Sequence, residues 1–299
     1  MRTETALEEF QKIESRLFAI AYRMLGSASD AQDIVQEAYL RYAARPEQPA
    51  QVHSPVSYLT RVVTNLCLDH LKSARVRREQ YVGLWLPEPV STAHAEHNIW
   101  DSVEQRETIS IAFLVLMECL TPHERAVFLL HDVFDYRYEE IAEMLSLSLA
   151  NCRQIAHRAR LKLEEKRPRF EVSDATHRQI TERFLRACKH GDLQELTDLL
   201  NQDVSSWSDG GGKVSSIPKP VYGRDAVVRL VLGLMKKASA GIEFTLHEIN
   251  YAPAILMWAG GQLVNVLVPE VREGQIQALR FILNPEKLAF LSRQLKPAG

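Results

Sequence analysis

Asn151, Arg153, Gln154, His157, Arg158 and Arg160 share the outward side of one helical period. Their chemistry is that of reading a nucleic-acid duplex. The amides of Asn and Gln pair with adenine edges, and guanidinium groups pair with guanine edges or phosphates. Between them, Cys152, Ile155, Ala156, Ala159 and Leu163 recur at spacings of three, four and seven and form an inward side. Something must aim such a helix. Glu139–Leu145 supplies a short amphipathic helix before it, and Ser146-Leu147-Ser148 a tight turn with Ser148 as cap. Ala142 is small where the two helices approach. From Tyr138 to Leu163 the chain therefore reads as a helix-turn-helix whose second helix lies in the major groove of double-stranded DNA. The alternative is a helical hairpin with a solvated basic face. Cap, turn, small residue and polar face in one register weigh against it.

Charge supports the same division of labour. From Ser148 to Arg169 there are seven Lys/Arg against two Glu, net +5, and from Asp101 to Leu147 ten Asp/Glu against three Lys/Arg, net −7. The basic helix suits phosphates, and its acidic neighbour suits a basic protein surface. The whole-chain charge of −2 conceals this segregation. A second basic run, Lys72-Ser73-Ala74-Arg75-Val76-Arg77-Arg78, follows Arg61, Asn65 and His70. Alone, it is equally a helix end with snorkelling side chains.

The elements that carry these groups fall into blocks, and 299 residues predict two or three domains. Leu17, Ile20, Ala21, Met24 and Leu25 keep helical spacing until Gly26, Asp30 restarts a helix through Ile34, Ala38 and Tyr42, and Pro46 and Pro49 mark a loop. After Ser57 a third helix carries Leu59, Val62, Val63, Leu66 and His70. Residues 81–100 are a linker with an apolar start, Tyr81 to Pro89, which predicts that it packs on something. Helices return over 101–165, with Thr121-Pro122-His123-Glu124 as a capping box. From 174 the texture becomes α+β. Helices near 174–188 and 191–200 lead to a strand ending at Asp209, and Gly210-Gly211-Gly212 forces a turn. A helix at 224–237 precedes strands Ile242–Ile249, Ile255–Ala259, Leu263–Val268 and Ala278–Leu283, with turns at Gly260-Gly261 and Glu273-Gly274 and a last helix from Pro285. The expected architecture is helices on a curved antiparallel sheet. Cys67, Cys119, Cys152 and Cys188 lie far apart in helical stretches, which reads as buried thiols rather than a metal site. No run approaches a membrane span and the start Met1-Arg2-Thr3-Glu4 is no signal peptide, so a cytoplasmic protein with no membrane partner is expected.

Residues 1–165 resemble a sigma-70 family RNA polymerase sigma factor of the extracytoplasmic-function (ECF) type. Leu17–Gly26 and Asp30–Ala38 resemble the start of sigma region two, Tyr58–Asp69 its promoter-melting part, and Leu120–Arg125 through His157–Arg160 region four. Residues 174–295 resemble a SnoaL-like domain, Tyr222-Gly223-Arg224-Asp225-Ala226 included. One group of ECF factors carries such a domain at its C-terminus. It shares a Tyr-Val-Gly-x-Trp-Leu-Pro-Glu-Pro linker and an Asp-Gly-Gly-Gly-Lys turn, both intact here at Tyr81–Pro89 and Asp209–Lys213. Its Asn-Pro-Asp-Lys-Leu tail appears as Asn284-Pro285-Glu286-Lys287-Leu288. Cys152 and Ile155 depart from residues commoner in region four, so promoter preference is not carried over. The implied fold is multidomain: two all-α sigma domains, 1–80 and 101–168, the linker 81–100, and an α+β SnoaL-like cone at 174–299.

The resemblance implies roles. Asp33, Gln36 and Glu37 dock on core RNA polymerase, where charge complementarity steers association. Arg61, Asn65, Lys72, Arg75, Arg77 and Arg78 engage the −10 element as it melts, and Asn151, Arg153, Gln154, His157, Arg158 and Arg160 read the −35 duplex. Trp85, Pro87, Asp209, Gly210, Gly211, Gly212, Lys213, Asn284, Pro285, Lys287 and Leu288 form a regulatory contact between the fused domain and the sigma core or its linker. No metal and no cofactor is implied. A small-molecule ligand of the C-terminal domain belongs to the same implication, its chemistry unspecified. Two other functions compete. Relatives of the SnoaL fold use a carboxylate or His for acid–base chemistry, for which Asp209, His247 and Trp258 are the candidates, but no paired spacing stands out. A ligand-sensing repressor would leave residues 10–78 without a purpose.

Overall fold

The computed structural model describes residues 10–44, 54–79, 81–93, 108–165, 174–237 and 241–295, with the side chains of 74–79 outside that set. The expected loop at Pro46 and Pro49 lies outside it. Contacts place the described helices up to Glu79 and those from Phe113 to Glu165 in one unit, and the linker from Tyr81 with the chain from Asp174 in another.

In the N-terminal unit α1 (Glu14–Leu25) buries Leu17, Ile20, Ala21, Met24 and Leu25. It ends where Gly26 turns left-handed at φ 66° and donates its N–H to the Tyr22 carbonyl. The restart belongs to Ser27 rather than Asp30. The Ser27 hydroxyl accepts the Asp30 N–H at 3.2 Å, and α2 runs from Ala28 to Ala43. Next, α3 (Pro55–Glu79) begins two residues before Ser57, because proline suits a first helical turn. The region-four block contains α4 (Ile111–Leu116), α5 (Pro122–Phe128), α6 (Tyr138–Leu145) and α7 (Leu149–Glu164). Thr121 and Glu124 close the expected capping box at the start of α5. A π-helical turn at Leu129–Val133 follows α5.

The C-terminal unit comprises α8 (Asp174–His190), α9 (Leu193–Leu199), β1 (Leu200–Asp209), β2 (Val221–Tyr222), α10 (Arg224–Lys237), β3 (Ile242–Ile249), β4 (Ala252–Ala259), β5 (Gln262–Arg272), β6 (Gln275–Ile282) and α11 (Pro285–Gln294). One six-stranded sheet has the order β2-β1-β6-β5-β4-β3. It is mixed, not antiparallel as expected. β3 to β6 form an antiparallel meander, but β1, separated from them by the β2–α10 crossover, lies parallel to β6. Glycine announced two of the three meander turns. The third, Asn250-Tyr251, has both residues left-handed, φ 53° and 56°, without any glycine.

Alternation along the strands assigns the faces. Ile255, Leu267, Leu279 and Phe281 pack with Ile180, Phe184, Val227 and Val231 of α8 and α10 in one core. The other face carries Asp209, Leu256, Val266 and Ile282, and is reached by α11 through Lys287. The unit is α+β, helices packed on one six-stranded sheet, the class expected of a SnoaL-like domain.

Candidate nucleic-acid interface and linker clasp

Ser148 aims the recognition helix. Its hydroxyl accepts the Asn151 N–H at 3.2 Å, while Ser146 turns the chain at φ 54°. Cys152, Ile155, Ala156, Ala159 and Leu163 are buried, as the spacing predicts, and Arg153, Gln154, His157 and Arg158 are exposed side by side. Two of the six predicted readers differ from these. Asn151 is half-buried, and Arg160 is engaged with the Asp132 carboxylate at 2.8 Å and the Tyr138 hydroxyl at 3.2 Å. The other end of the helix is held by Glu124. Burial by itself raises its carboxyl, but the Lys162 ammonium at 2.7 Å and the Thr121 N–H and hydroxyl outweigh that and hold it below the usual carboxylate range. Arg158 lies 3.8 Å from the same carboxylate. The capping-box pattern marks Glu124 as a cap, but its second role as the anchor of α7 depends on Lys162, 38 residues away, and leaves no local signal.

On α3, Arg61 and Lys72 are exposed, and Lys72 pairs with Asp69 at 2.9 Å. Arg75, Arg77 and Arg78 fall on the helix, but their side chains lie outside the described residues. Asn65 is half-buried and donates to the Met144 carbonyl at 3.3 Å, the C-terminal end of the first helix of the helix-turn-helix. Other contacts join the two DNA-facing blocks. Arg125, buried, donates to the Met24 carbonyl at 2.7 Å, Thr60 and Tyr136 share a hydroxyl hydrogen bond at 2.9 Å, and Arg16 donates to the Phe134 carbonyl at 3.0 Å. A cation at the end of α1 is favourable because unpaired carbonyls and the helix dipole are negative there. On α2, Asp33, Gln36 and Glu37 are all exposed, with Glu37 bonded to Arg41 at 2.8 Å.

Residues expected to form the contact between the C-terminal domain and the linker meet at the Asp209 carboxylate, which is fully buried. One oxygen accepts from the Tyr81 hydroxyl at 2.6 Å and the Gly211 N–H at 3.1 Å; the other accepts from the Leu86 N–H at 2.8 Å and the Lys287 ammonium at 2.6 Å. Lys287, itself buried, also donates to the Leu86 carbonyl and lies 4.3 Å from the Trp85 ring centre and 4.9 Å from that of Tyr81. Burial and the Asp209 carboxylate push the Tyr81 phenol far above its ordinary range, so it stays a donor. Asn284 caps α11 by accepting the Glu286 N–H and donates to the Tyr81 hydroxyl at 3.0 Å, while Pro285 fills the first turn and Leu288 is buried. Gly211 is left-handed at φ 58°, and a Cβ there would strike the Asn284 amide and the Tyr81 hydroxyl. Lys213 pairs with Glu286 at 2.9 Å. The apolar linker packs as its composition predicts: Leu86, Pro87, Pro89 and Val90 are buried.

The three acid–base candidates do not meet. Asp209 is on β1, Trp258 on β4 and His247 on β3, so three and four strand spacings of about 4.8 Å separate them from Asp209. Trp258 instead donates to Thr245 at 2.9 Å, and burial lowers the His247 pKa.

Residues 10–77 match "Sigma-70 region 2" and residues 110–163 match "Sigma-70, region 4". The chain is 35% identical to "ECF RNA polymerase sigma factor SigJ" of Mycobacterium tuberculosis, over 98% of this chain and 97% of the relative. It is 32% identical to "Probable ECF RNA polymerase sigma factor SigI" of the same organism, over 93% of each. The crystal structure of M. tuberculosis SigJ superposes with a TM-score of 0.74 at 32% identity, covering 95% of this chain and 98% of that one.

Proposed function

The chain belongs to the ECF sigma factors of the sigma-70 family, and on that premise we propose that its C-terminal domain sets its activity by holding the interdomain linker. The observation that carries this is the Asp209 clasp, where Tyr81, Leu86 and Lys287 meet one buried carboxylate. As a sigma factor the chain works with core RNA polymerase on promoter DNA.

Arg153, Gln154, His157 and Arg158 read the −35 duplex from the exposed side of α7, with Asn151 near its cap, and Arg160 braces the helix through Asp132. Arg61, Asn65, Lys72 and the arginines at 75, 77 and 78 capture the melted −10 strand, a task that needs cations along the backbone. Asp33, Gln36 and Glu37 dock on polymerase. The two promoter elements lie about 25 base pairs apart, roughly 85 Å at 3.4 Å per pair. Asn65 and Met144, one from each reading block, are 3.3 Å apart. The described arrangement is therefore a closed one that separates before both elements are engaged. The C-terminal domain acts as a regulatory body and not as a catalyst, since its candidate acid–base groups lie on three strands spread over four strand spacings. The partner places the protein in the cytoplasm.

Run-off transcription with core polymerase, on promoters taken from genomic binding, tests the reading with the full chain and chains cut before Thr176 or before Asn284. Promoter-dependent initiation that changes with at least one cut is expected. No initiation by any version would refute the promoter assignment, and equal activity of all versions would remove the regulatory part.

A further inference from the structure

Thr92 pins the linker a second time, at the β3–β4 turn, using none of the motif residues. Ser91 bridges Ile249 at the end of β3, the edge strand of the sheet. The Thr92 N–H donates to the Glu248 carbonyl at 3.3 Å, and the Asn250 N–H to the Val90 carbonyl at 3.0 Å. Side chains complete the contact. The Asn250 amide oxygen accepts the Val90 N–H at 3.1 Å, and the Gln294 amide oxygen accepts the Ser91 N–H at 2.9 Å. The Thr92 hydroxyl uses both its capacities, donating to the Glu248 carboxylate at 2.8 Å and accepting the Tyr251 N–H at 2.9 Å.

The turn is built for this purpose at a local cost. Two successive left-handed residues favour glycine, as at Gly260-Gly261 in the next turn. Glycine at 250 would relieve the strain but would leave the Val90 N–H without its acceptor. Asn250 is fully buried and Thr92 nearly so, so an unmade bond there is not replaced by water. A non-glycine residue held left-handed marks a position that the surroundings over-determine.

We infer that Thr92 and Asn250 form a second clasp, opening separately from the first, that sets the length of linker available to the region-four block. The inference rests on the regulatory reading above. With the second clasp closed, only residues 93–107 lie between it and Thr108. Opening it while Leu86 stays bound adds residues 87–92, about 20 Å of extended chain. The first clasp, at Tyr81, governs the region-two side, because α3 ends at Glu79.

Hydrogen exchange and run-off transcription on the full chain test this together. Thr92→Val keeps the shape and removes the hydroxyl, Asn250→Gly keeps the backbone and removes the acceptor, Thr92→Ser restores the hydroxyl, and Asp209→Asn opens the first clasp. In Thr92→Val and Asn250→Gly, the amides of Val90–Thr92 should exchange about tenfold faster, from lost hydrogen bonds. Those of Leu84–Leu86 should stay unchanged, and transcription should shift in the direction produced by the cut before Asn284. Thr92→Ser should behave as wild type. Unchanged exchange at Val90–Thr92 in both variants overturns the second clasp. Faster exchange with wild-type transcription also overturns its role, and if Asp209→Asn still shifts transcription the first clasp stands alone. No shift in any variant defeats the regulatory reading as well.

Discussion

Replacing Lys287 with Met removes the cation from the first clasp and keeps most of the side chain's volume. Asp209 is then a fully buried carboxylate with three donors left: the Tyr81 hydroxyl and the Leu86 and Gly211 N–H groups. Removing one partner of a buried ion pair costs about 3–5 kcal/mol, because the other charge stays desolvated. The three remaining donors stabilise the anion and place the cost near the lower end, about 3 kcal/mol. The cheapest escape is release of the linker, which lets water reach Asp209. At about 1.4 kcal/mol per tenfold, the opening constant should rise roughly a hundredfold. Hydrogen exchange of the Leu84–Leu86 amides in the full chain at pH 7 reads this directly. Adding Asp209→Asn removes the stranded charge, so the double variant should recover at least part of the protection, a coupling that a double-mutant cycle measures. Exchange in Lys287→Met within twofold of wild type would refute the reasoning, as would a double variant more labile than the single one.

Gly211→Ala should also open the clasp, since it meets both a left-handed φ and the Asn284 amide, at a cost of about 1–3 kcal/mol. Gly261→Ala, with φ 76° and open space around it, is the control that isolates the backbone part; equal urea midpoints for the two would contradict the packing argument. In the polymerase holoenzyme, Gln154→Ala and Arg158→Ala should each weaken −35 binding by about 1–3 kcal/mol and relax sequence preference. Arg160→Ala should instead lower stability by up to about 1 kcal/mol through loss of its Asp132 pair, with sequence preference retained. Burial lowers the His177 pKa, against the Pro269 carbonyl that accepts from its ring. The unfolded chain therefore binds that proton more readily than the folded one, and stability of the C-terminal unit should fall as pH drops through the ordinary histidine value of about 6.5. His177→Gln should flatten that slope between pH 7.5 and 5.5; an unchanged slope would show that another group dominates.

Much of this was legible because local chemistry and burial agree. The region-four helices are short, capped and strongly periodic, so Ser148, Ala142 and the buried set from Cys152 to Leu163 could be placed residue by residue. The apolar Tyr81–Pro89 stretch announced a packed linker because solvated linkers rarely carry such side chains. What stayed hidden depends on distant partners. The Glu124–Lys162 and Arg160–Asp132 pairs join helices whose spacing in sequence says nothing about their proximity. The parallel pairing of β1 with β6 is a non-local choice that strand patterns do not encode. The turn at Asn250-Tyr251 lacks glycine, and its purpose appears only when Val90 is seen bonded to Asn250. Arg75, Arg77 and Arg78 keep only their sequence-based role, since their side chains are outside the described residues.

Regulation by the C-terminal domain requires that the Asp209 clasp control initiation. The direct measurement is run-off transcription by full-length Lys287→Met with core polymerase, on a promoter that the wild-type chain uses, in samples whose linker exchange has been recorded. With the Leu84–Leu86 amides deprotected, initiation should shift in the direction given by the cut before Asn284. Deprotected amides with wild-type initiation would contradict the claim that the C-terminal domain regulates through its hold on the linker.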